Sequence, residues 1–360
     1  MSRATSATIH LGALRDNLIR LRELAAGARI MAVVKADGYG HGLERVARVL
    51  ADADAFGVAC IADGQRLRAA GVRQRIVVLS GIDEAADIAE MHRLGLESTI
   101  HHDAQIDWLA ADSDPRPLKV WLKIDSGMHR LGFAPDRVDA ARKRLLALPN
   151  VDHQIGLMTH FANSDAFGEE QTKAQIDCFE SIVAELPGSR TLANSAAVLG
   201  WPNARGQWIR PGGLLYGISV VAGKNGGDFG FRPAMTLSSK LVAINRITQG
   251  EPIGYAATWI CPQDMDIGVV QIGYGDGYPR SARSGTPVLV NGRRASIVGR
   301  VSMDLITVDL RAHGDARIGD PVVLWGQDLP VEEIAAHAGT IGYELVCGMT
   351  RRVRFLEDHR

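Results

Sequence analysis

Ile30-Met31-Ala32-Val33-Val34-Lys35-Ala36-Asp37-Gly38-Tyr39-Gly40-His41-Gly42 is an apolar run that ends on a lysine and opens into a glycine-rich loop. Residues 43–50 follow with apolar positions at three- and four-residue spacing, the pattern of a helix. Strand, loop and helix make one βα unit, and the alternation recurs outward from it. Further apolar runs lie at 55–61, 76–79, 96–100, 120–124, 155–158, 191–193 and 208–209, and helical patterns at 64–70, 85–94, 138–148 and 171–186. Alternation of this kind implies parallel strands joined by helical crossovers. Eight runs within about 200 residues fit a (β/α)8 TIM-type barrel. A doubly wound sheet is the competing arrangement.

The texture changes near 225–231. Lys224-Asn225-Gly226-Gly227-Asp228 reads as a loop, and strand-like runs follow at 236–247, 267–272, 287–290, 296–298, 305–310 and 321–325. Asn291-Gly292 is a strong hairpin signal, and residues 331–338 read as a helix. The expected organisation is therefore a barrel over 1–228 and a mostly antiparallel β domain over 229–360. Residues 1–11 are candidates to pair with the second domain.

Two cores also suit a chain of 360 residues. Apolar residues make up 46% and charged residues 22%, an ordinary globular balance. A formal net charge of -1 offers no global attraction to nucleic acid or an anionic membrane, so a small molecule is the expected partner. Cys60, Cys178, Cys261 and Cys347 are dispersed without a CxxC pair, which argues against a structural metal and for reduced thiols. The first residues lack an apolar signal core and no run is long enough to span a bilayer, so a cytoplasmic location is expected.

Chemistry-bearing residues gather at the ends of the barrel runs, where a (β/α)8 barrel builds its active site. Lys35 ends the first run; a lysine whose ammonium is partly desolvated there has a lowered pKa and condenses with carbonyls. Lys123 alternates with Leu122 and Ile124, so it points into the barrel and needs a partner or a modification. Arg130 follows a flexible turn and suits a carboxylate. His160 ends another run. Asn194-Ser195 and Arg210-Pro211-Gly212-Gly213 offer a hydroxyl, a guanidinium and open backbone of the kind that holds a phosphate. In the second half, Gly254-Tyr255, the run Gly273-Tyr274-Gly275-Asp276-Gly277-Tyr278 and Ser302-Met303-Asp304 read by pattern alone as β turns with packed aromatics.

Taken in order, these segments resemble the alanine racemases through both halves of the chain. The run 33–42 is similar to that family's cofactor-lysine signature. The segments at Lys123–Gly132, His160-Phe161-Ala162, Asn194-Ser195, Arg210-Pro211-Gly212, Gly254-Tyr255, 273–278 and Ser302-Met303-Asp304 follow in family order. The resemblance implies a pyridoxal 5'-phosphate enzyme that racemises alanine and works as a head-to-tail homodimer. Lys35 would carry the cofactor, and Tyr39, Ser195 and the backbone at Gly212 and Gly213 would hold its phosphate. Arg210 would face the pyridine nitrogen with His160 beside it. Arg130 and the Met303 backbone would orient the substrate carboxylate. Lys35 and Tyr255 would be the two bases, with Tyr255 and Met303 given by the partner subunit, and Tyr274 and Asp304 in support. In many family members the lysine matching Lys123 is carbamylated. Where the family often has a phosphate-contacting tyrosine, this chain places Arg351. The related readings are a serine-preferring or broad-specificity racemase, a barrel-type decarboxylase, which would carry Glu where Arg210 stands, and a non-catalytic cofactor carrier, which would lack the β domain.

Overall fold

Strands covered on both faces are largely apolar, and eight such strands close into a barrel, with Glu97-Ser98-Thr99 as a buried polar exception. The computed structural model describes residues 4–359. In it Arg29–Val33, Ala55–Val58, Arg75–Val78, Glu97–Ile100, Val120–Lys123, Gly156–Met158, Arg190–Thr191 and Trp208–Ile209 form a closed parallel barrel in chain order. The last strand pairs with the first through Arg29 with Trp208 and Ile30 with Ile209, which rules out the open doubly wound sheet. The expected helices are present at Leu43–Val49, Ile61–Ala69, Asp87–Leu94, Val138–Leu146 and Glu170–Val183. Leu11–Leu24, Asp103–Ala111 and Ser195–Gly200 are additional helices.

The barrel interior is filled by Met31, Ala55, Val77, Trp121, Met158 and Trp208. At its N-terminal end Trp121 and Trp208 meet edge to face at 5.9 Å. Arg75 lies over the Trp208 ring, 4.9 Å from its centroid. The same guanidinium donates to both oxygens of buried Glu97 at 2.5 and 2.7 Å, and Trp121 Nε1 donates to that carboxylate at 2.9 Å. This end is a plug in which Arg75 and Glu97 pair charge with charge.

The chain divides into two units. Asn17–Leu215 with Val221–Gly223 make the barrel unit; the other comprises the residues up to Asp16, Tyr216–Val220 and Lys224–Arg360. In the second, a sheet runs in the order Arg293–Ser296, Pro287–Val290, Pro321–Trp325, Met235–Ile247, Ser6–His10, Arg354–Asp358. Met265–Val270 pairs with the far half of Met235–Ile247 and with Ile306–Asp309. All these pairings are antiparallel except that of Ser6–His10 with Arg354–Asp358. Met235–Ile247 begins with strict alternation of buried and half-buried residues, as a strand with one covered face requires. The Asn291-Gly292 hairpin forms with φ of 49° and 75°, the doubly left-handed turn that matches strand twist. That turn sets the register, so the strand after it is Arg293–Ser296, earlier than the 296–298 run suggests; Ile297 adds an isolated bridge to Val308 and backbone bonds with Gly285 and Thr286.

Candidate active site

The barrel places Lys35, Lys123, His160, Ser195 and Arg210 at or just beyond the C-terminal ends of five strands or runs. Lys35 leads into an unusual segment. Ala36, Asp37, Gly38 and Tyr39 all have left-handed backbone, with φ of 53°, 54°, 63° and 51°. A single L residue tolerates this conformation at a cost of about 1–2 kcal/mol, so three non-glycine residues in one turn are held there by their surroundings. The turn brings Tyr39 to Gly212: a Cβ on Gly212 would stand 2.3 Å from Tyr39 Oη. Only glycine leaves this space open.

Ser195 joins the same cluster. Its Oγ accepts from Gly212 N at 2.9 Å and Leu214 N at 3.3 Å. The preceding Asn194 caps the helix Ser195–Gly200 by accepting from Ala197 N at 3.0 Å, and Ser164 Oγ donates to Asn194 at 2.9 Å. Gly213 opens the following turn, Gly213–Tyr216.

Arg210 is buried. It donates to Thr191 Oγ1 at 2.7 Å, Thr159 O at 2.5 Å and Leu192 O at 3.3 Å, and its Nη2 lies 3.5 Å from His160 Nδ1. Burial holds its pKa near 10, so it remains a cation at neutral pH. His160 is held well below the usual imidazole range by burial and by Arg210, Lys123, Arg130 and Lys35, so it is neutral at pH 7. Lys123 is lowered to about 8 by burial and by Arg210, Arg130 and Lys35. The barrel mouth thus concentrates four cations that oppose one another, the arrangement that anionic ligands relieve.

Arg130 is exposed at the end of a loop organised by Asp125. Asp125 Oδ1 accepts from the N–H groups of Gly127, Met128 and His129 at 3.0, 3.1 and 2.9 Å. His129, immediately before Arg130, has φ 56°. Asp125 was not among the expected site residues, although an Asp two residues before Gly is a turn signal.

Tyr255, Tyr274, Met303 and Asp304 belong to the β unit. Tyr255 is 70% exposed and is followed by Ala256 and Ala257 at φ 61° and 48°. Six of the eight non-glycine residues with positive φ among the described residues therefore flank Lys35, Arg130 or Tyr255. Such strain clusters where geometry is imposed for function. Tyr274 and Met303 are brought together by backbone pairing: Tyr274 N donates to Ser302 O at 3.0 Å and Gly275 N to Met303 O at 2.9 Å. Arg351 is exposed; its neighbour Arg352 makes the ion pairs, with Asp304 and with buried Asp276. Nothing in the composition of residues 349–353 marks that difference. Among the described residues no cluster of metal-ligating side chains occurs, and no helix is long and apolar enough to cross a membrane.

Two family models match the chain: "Alanine racemase, N-terminal domain" over residues 9–220 and "Alanine racemase, C-terminal domain" over 234–356. A protein named alanine racemase from Shewanella sediminis is 50% identical over 352 residues, covering 98% of each chain. Among solved structures, the biosynthetic alanine racemase from Pseudomonas aeruginosa matches with a TM-score of 0.97 at 43% identity, over 99% of this chain and 100% of that one. The alanine racemase from Acinetobacter baumannii matches with a TM-score of 0.93 at 36% identity, over 99% of this chain and 100% of that one.

Proposed function

The chain belongs to the alanine racemase family and interconverts L- and D-alanine, and we propose that it does so with pyridoxal phosphate in the barrel mouth and Lys35 and Tyr255 as opposing bases. The observation that carries this reading is the convergence of four cations on the mouth beside the opening at Gly212. A phosphate and a substrate carboxylate complement that charge. Tyr39, Ser195 and the backbone at Gly212 and Gly213 hold the phosphate. Arg210 faces the pyridine nitrogen, with His160 beside it. A guanidinium hardly surrenders a proton, so Arg210 would donate a hydrogen bond to that nitrogen without protonating it. When bound, the cofactor supplies the electron sink for the Cα carbanion.

Racemisation then needs one proton removed from one face and one returned to the other. Lys35 serves the face of the D isomer and Tyr255 that of the L isomer, so the substrate inverts without turning over. Arg130 and the Met303 backbone hold the carboxylate, with Tyr274 and Asp304 in support. A pKa of about 8 leaves part of the Lys123 amine neutral in mildly alkaline solution, the form that captures carbon dioxide. Carbamylation would turn this buried cation into an anion facing Arg130.

Tyr255 and Met303 act in the active site of a partner subunit, so the working unit is a homodimer. The substantial exposure of Tyr255, Ile260, Met303 and Leu305 suits a surface that a second copy covers. The setting proposed is the cytoplasm, where the product supplies peptidoglycan or alanine enters catabolism.

Mixed dimers test this reading. Lys35→Ala and Tyr255→Phe, each nearly inactive alone, are dissociated together and reassembled. Half the dimers are then mixed and one of their two sites is intact, so about one quarter of wild-type activity returns. No recovery in verified mixed dimers rejects the shared site.

A further inference from the structure

The chain from Thr350 to Arg352 fastens two loops of the β unit that the backbone alone joins only at one edge. The first loop, 273–278, carries Tyr274; the second, 302–305, carries Met303. Asp276 closes the first: its Oδ2 accepts from Gly273 N at 3.1 Å, and the side chain is fully buried. Asp304 follows Met303 on the second. The Arg352 guanidinium spans the two, with Nε 3.3 Å from Asp276 Oδ1 and Nη2 donating to Asp304 Oδ1. It lies against Gly275, where a Cβ would come within 2.3 Å of Nη1. Thr350 completes the fastening: its N–H donates to Asp276 O at 3.2 Å and its hydroxyl to Gly275 O at 2.9 Å.

A planar fork that donates to one carboxylate while its charge faces a second fixes direction as well as distance, which a lysine ammonium does not. We propose that Arg352 is a positioning residue: by bridging Asp276 and Asp304 it fixes the separation of Tyr274 and Met303, and with it the width of the substrate pocket these two residues close. This inference rests on the assignment of Tyr274 and Met303 to that pocket. Side-chain size is discriminated only modestly by an apolar pocket, so a device that stops the wall from receding matters more here than another contact. Loosening the tie admits a larger substrate and binds alanine less well, while the two bases stay where they are.

Holoenzyme steady-state kinetics with alanine and serine test it. Arg352→Gln is expected to raise KM for L-alanine roughly tenfold, the equivalent of one charge-assisted hydrogen bond, with kcat changed by less than about threefold. The serine-to-alanine ratio of kcat/KM rises. Arg352→Lys restores little of either change. Asp304→Asn, at an exposed carboxylate, produces the same shift, and the double variant is no worse than the single ones because both break one tie. If Arg352→Gln or, should it fail to fold, Asp304→Asn lowers thermal stability but leaves KM and the serine-to-alanine ratio unchanged, the residue is structural and the proposal falls. Met303→Ala separates the two layers of argument. If it too leaves both quantities unchanged, the pocket assignment fails and takes the proposal with it. If it alone shifts them, only the role of Arg352 is lost.

Discussion

At the N-terminal end of the barrel, Arg75 is held by both oxygens of Glu97, and Trp121 donates to the same carboxylate. At the C-terminal mouth, burial first and then Arg210, Lys123, Arg130 and Lys35 around it push the His160 pKa down. Both ends mix arginines with polar side chains, yet one holds a buried carboxylate paired with Arg75 and the other gathers four cations around a neutral imidazole. The backbone differs in the same sense. The strands enter the plug as regular β structure, whereas Lys35 leads directly into a left-handed turn. Charge and strain left unrelieved in the folded chain are what a ligand can relieve. Sealing one end is a matter of stability; keeping the other end strained and cationic is a matter of function.

The contrast predicts which property each end governs. The largest effect is expected from Lys35→Ala, with racemisation falling by roughly 10⁴-fold or more while the unfolding midpoint barely moves. Loss of the visible absorbance of bound cofactor after dialysis checks the same residue independently. A variant that retains substantial activity would break the assignment of function to the mouth.

Next in size is the buried amine of Lys123. Burial and neighbouring cations lower its pKa from 10.5 to about 8. A depressed folded-state pKa contributes stability that is complete above 10.5 and is lost as pH falls toward 8. In carbon-dioxide-free buffer, wild type relative to Lys123→Met should therefore gain about 3 kcal/mol in denaturant unfolding between pH 8 and 10.5. Bicarbonate at pH 8 should recover part of that gain by replacing the ammonium with a carbamate. Parallel pH profiles for the two proteins would show that Lys123 is not strained by its neighbours.

The smallest of the three effects belongs to the plug. Glu97→Ala leaves Arg75 and the Trp121 N–H without their carboxylate and should cost about 2 kcal/mol of stability, the usual penalty for breaking a buried pair discounted because the Arg75 side chain is 36% exposed. The kcat of the folded protein should be unchanged. A fall in kcat with unaltered stability would invert the comparison.

The barrel was legible because parallel strands covered on both faces print continuous apolar runs, and even the two-residue strands Arg190–Thr191 and Trp208–Ile209 fell within or beside such runs. Lys35, Lys123, His160, Ser195 and Arg210 were legible as polar residues at the ends of those runs. Tyr255 and Met303 were not; they stand in turns, and only the ordered family resemblance singled them out. The left-handed turn was hidden because Ala36 and Asp37 carry no sign that their backbone will be forced to positive φ. The Arg75–Glu97 plug and the bridge of Arg352 to Asp276 and Asp304 were hidden because each joins positions distant in sequence. Arg354–Asp358 mixes charged and apolar residues without a clear period, and its partner is the strand at the opposite end of the chain.

That pairing also bears on how the molecule is made. Ser6–His10 lies in the sheet between Met235–Ile247 and Arg354–Asp358, and His10 meets Asp358 through side chains as well as backbone. At about 5–20 residues per second, Ser6–His10 waits on the order of tens of seconds for the synthesis of Arg354–Asp358. During that wait it is an unpaired edge, open to misplaced pairing with another nascent chain. The barrel strands find their neighbours as synthesis proceeds; this part of the sheet cannot close until Arg354–Asp358 has been made, so pausing late in translation prolongs the exposure of Ser6–His10.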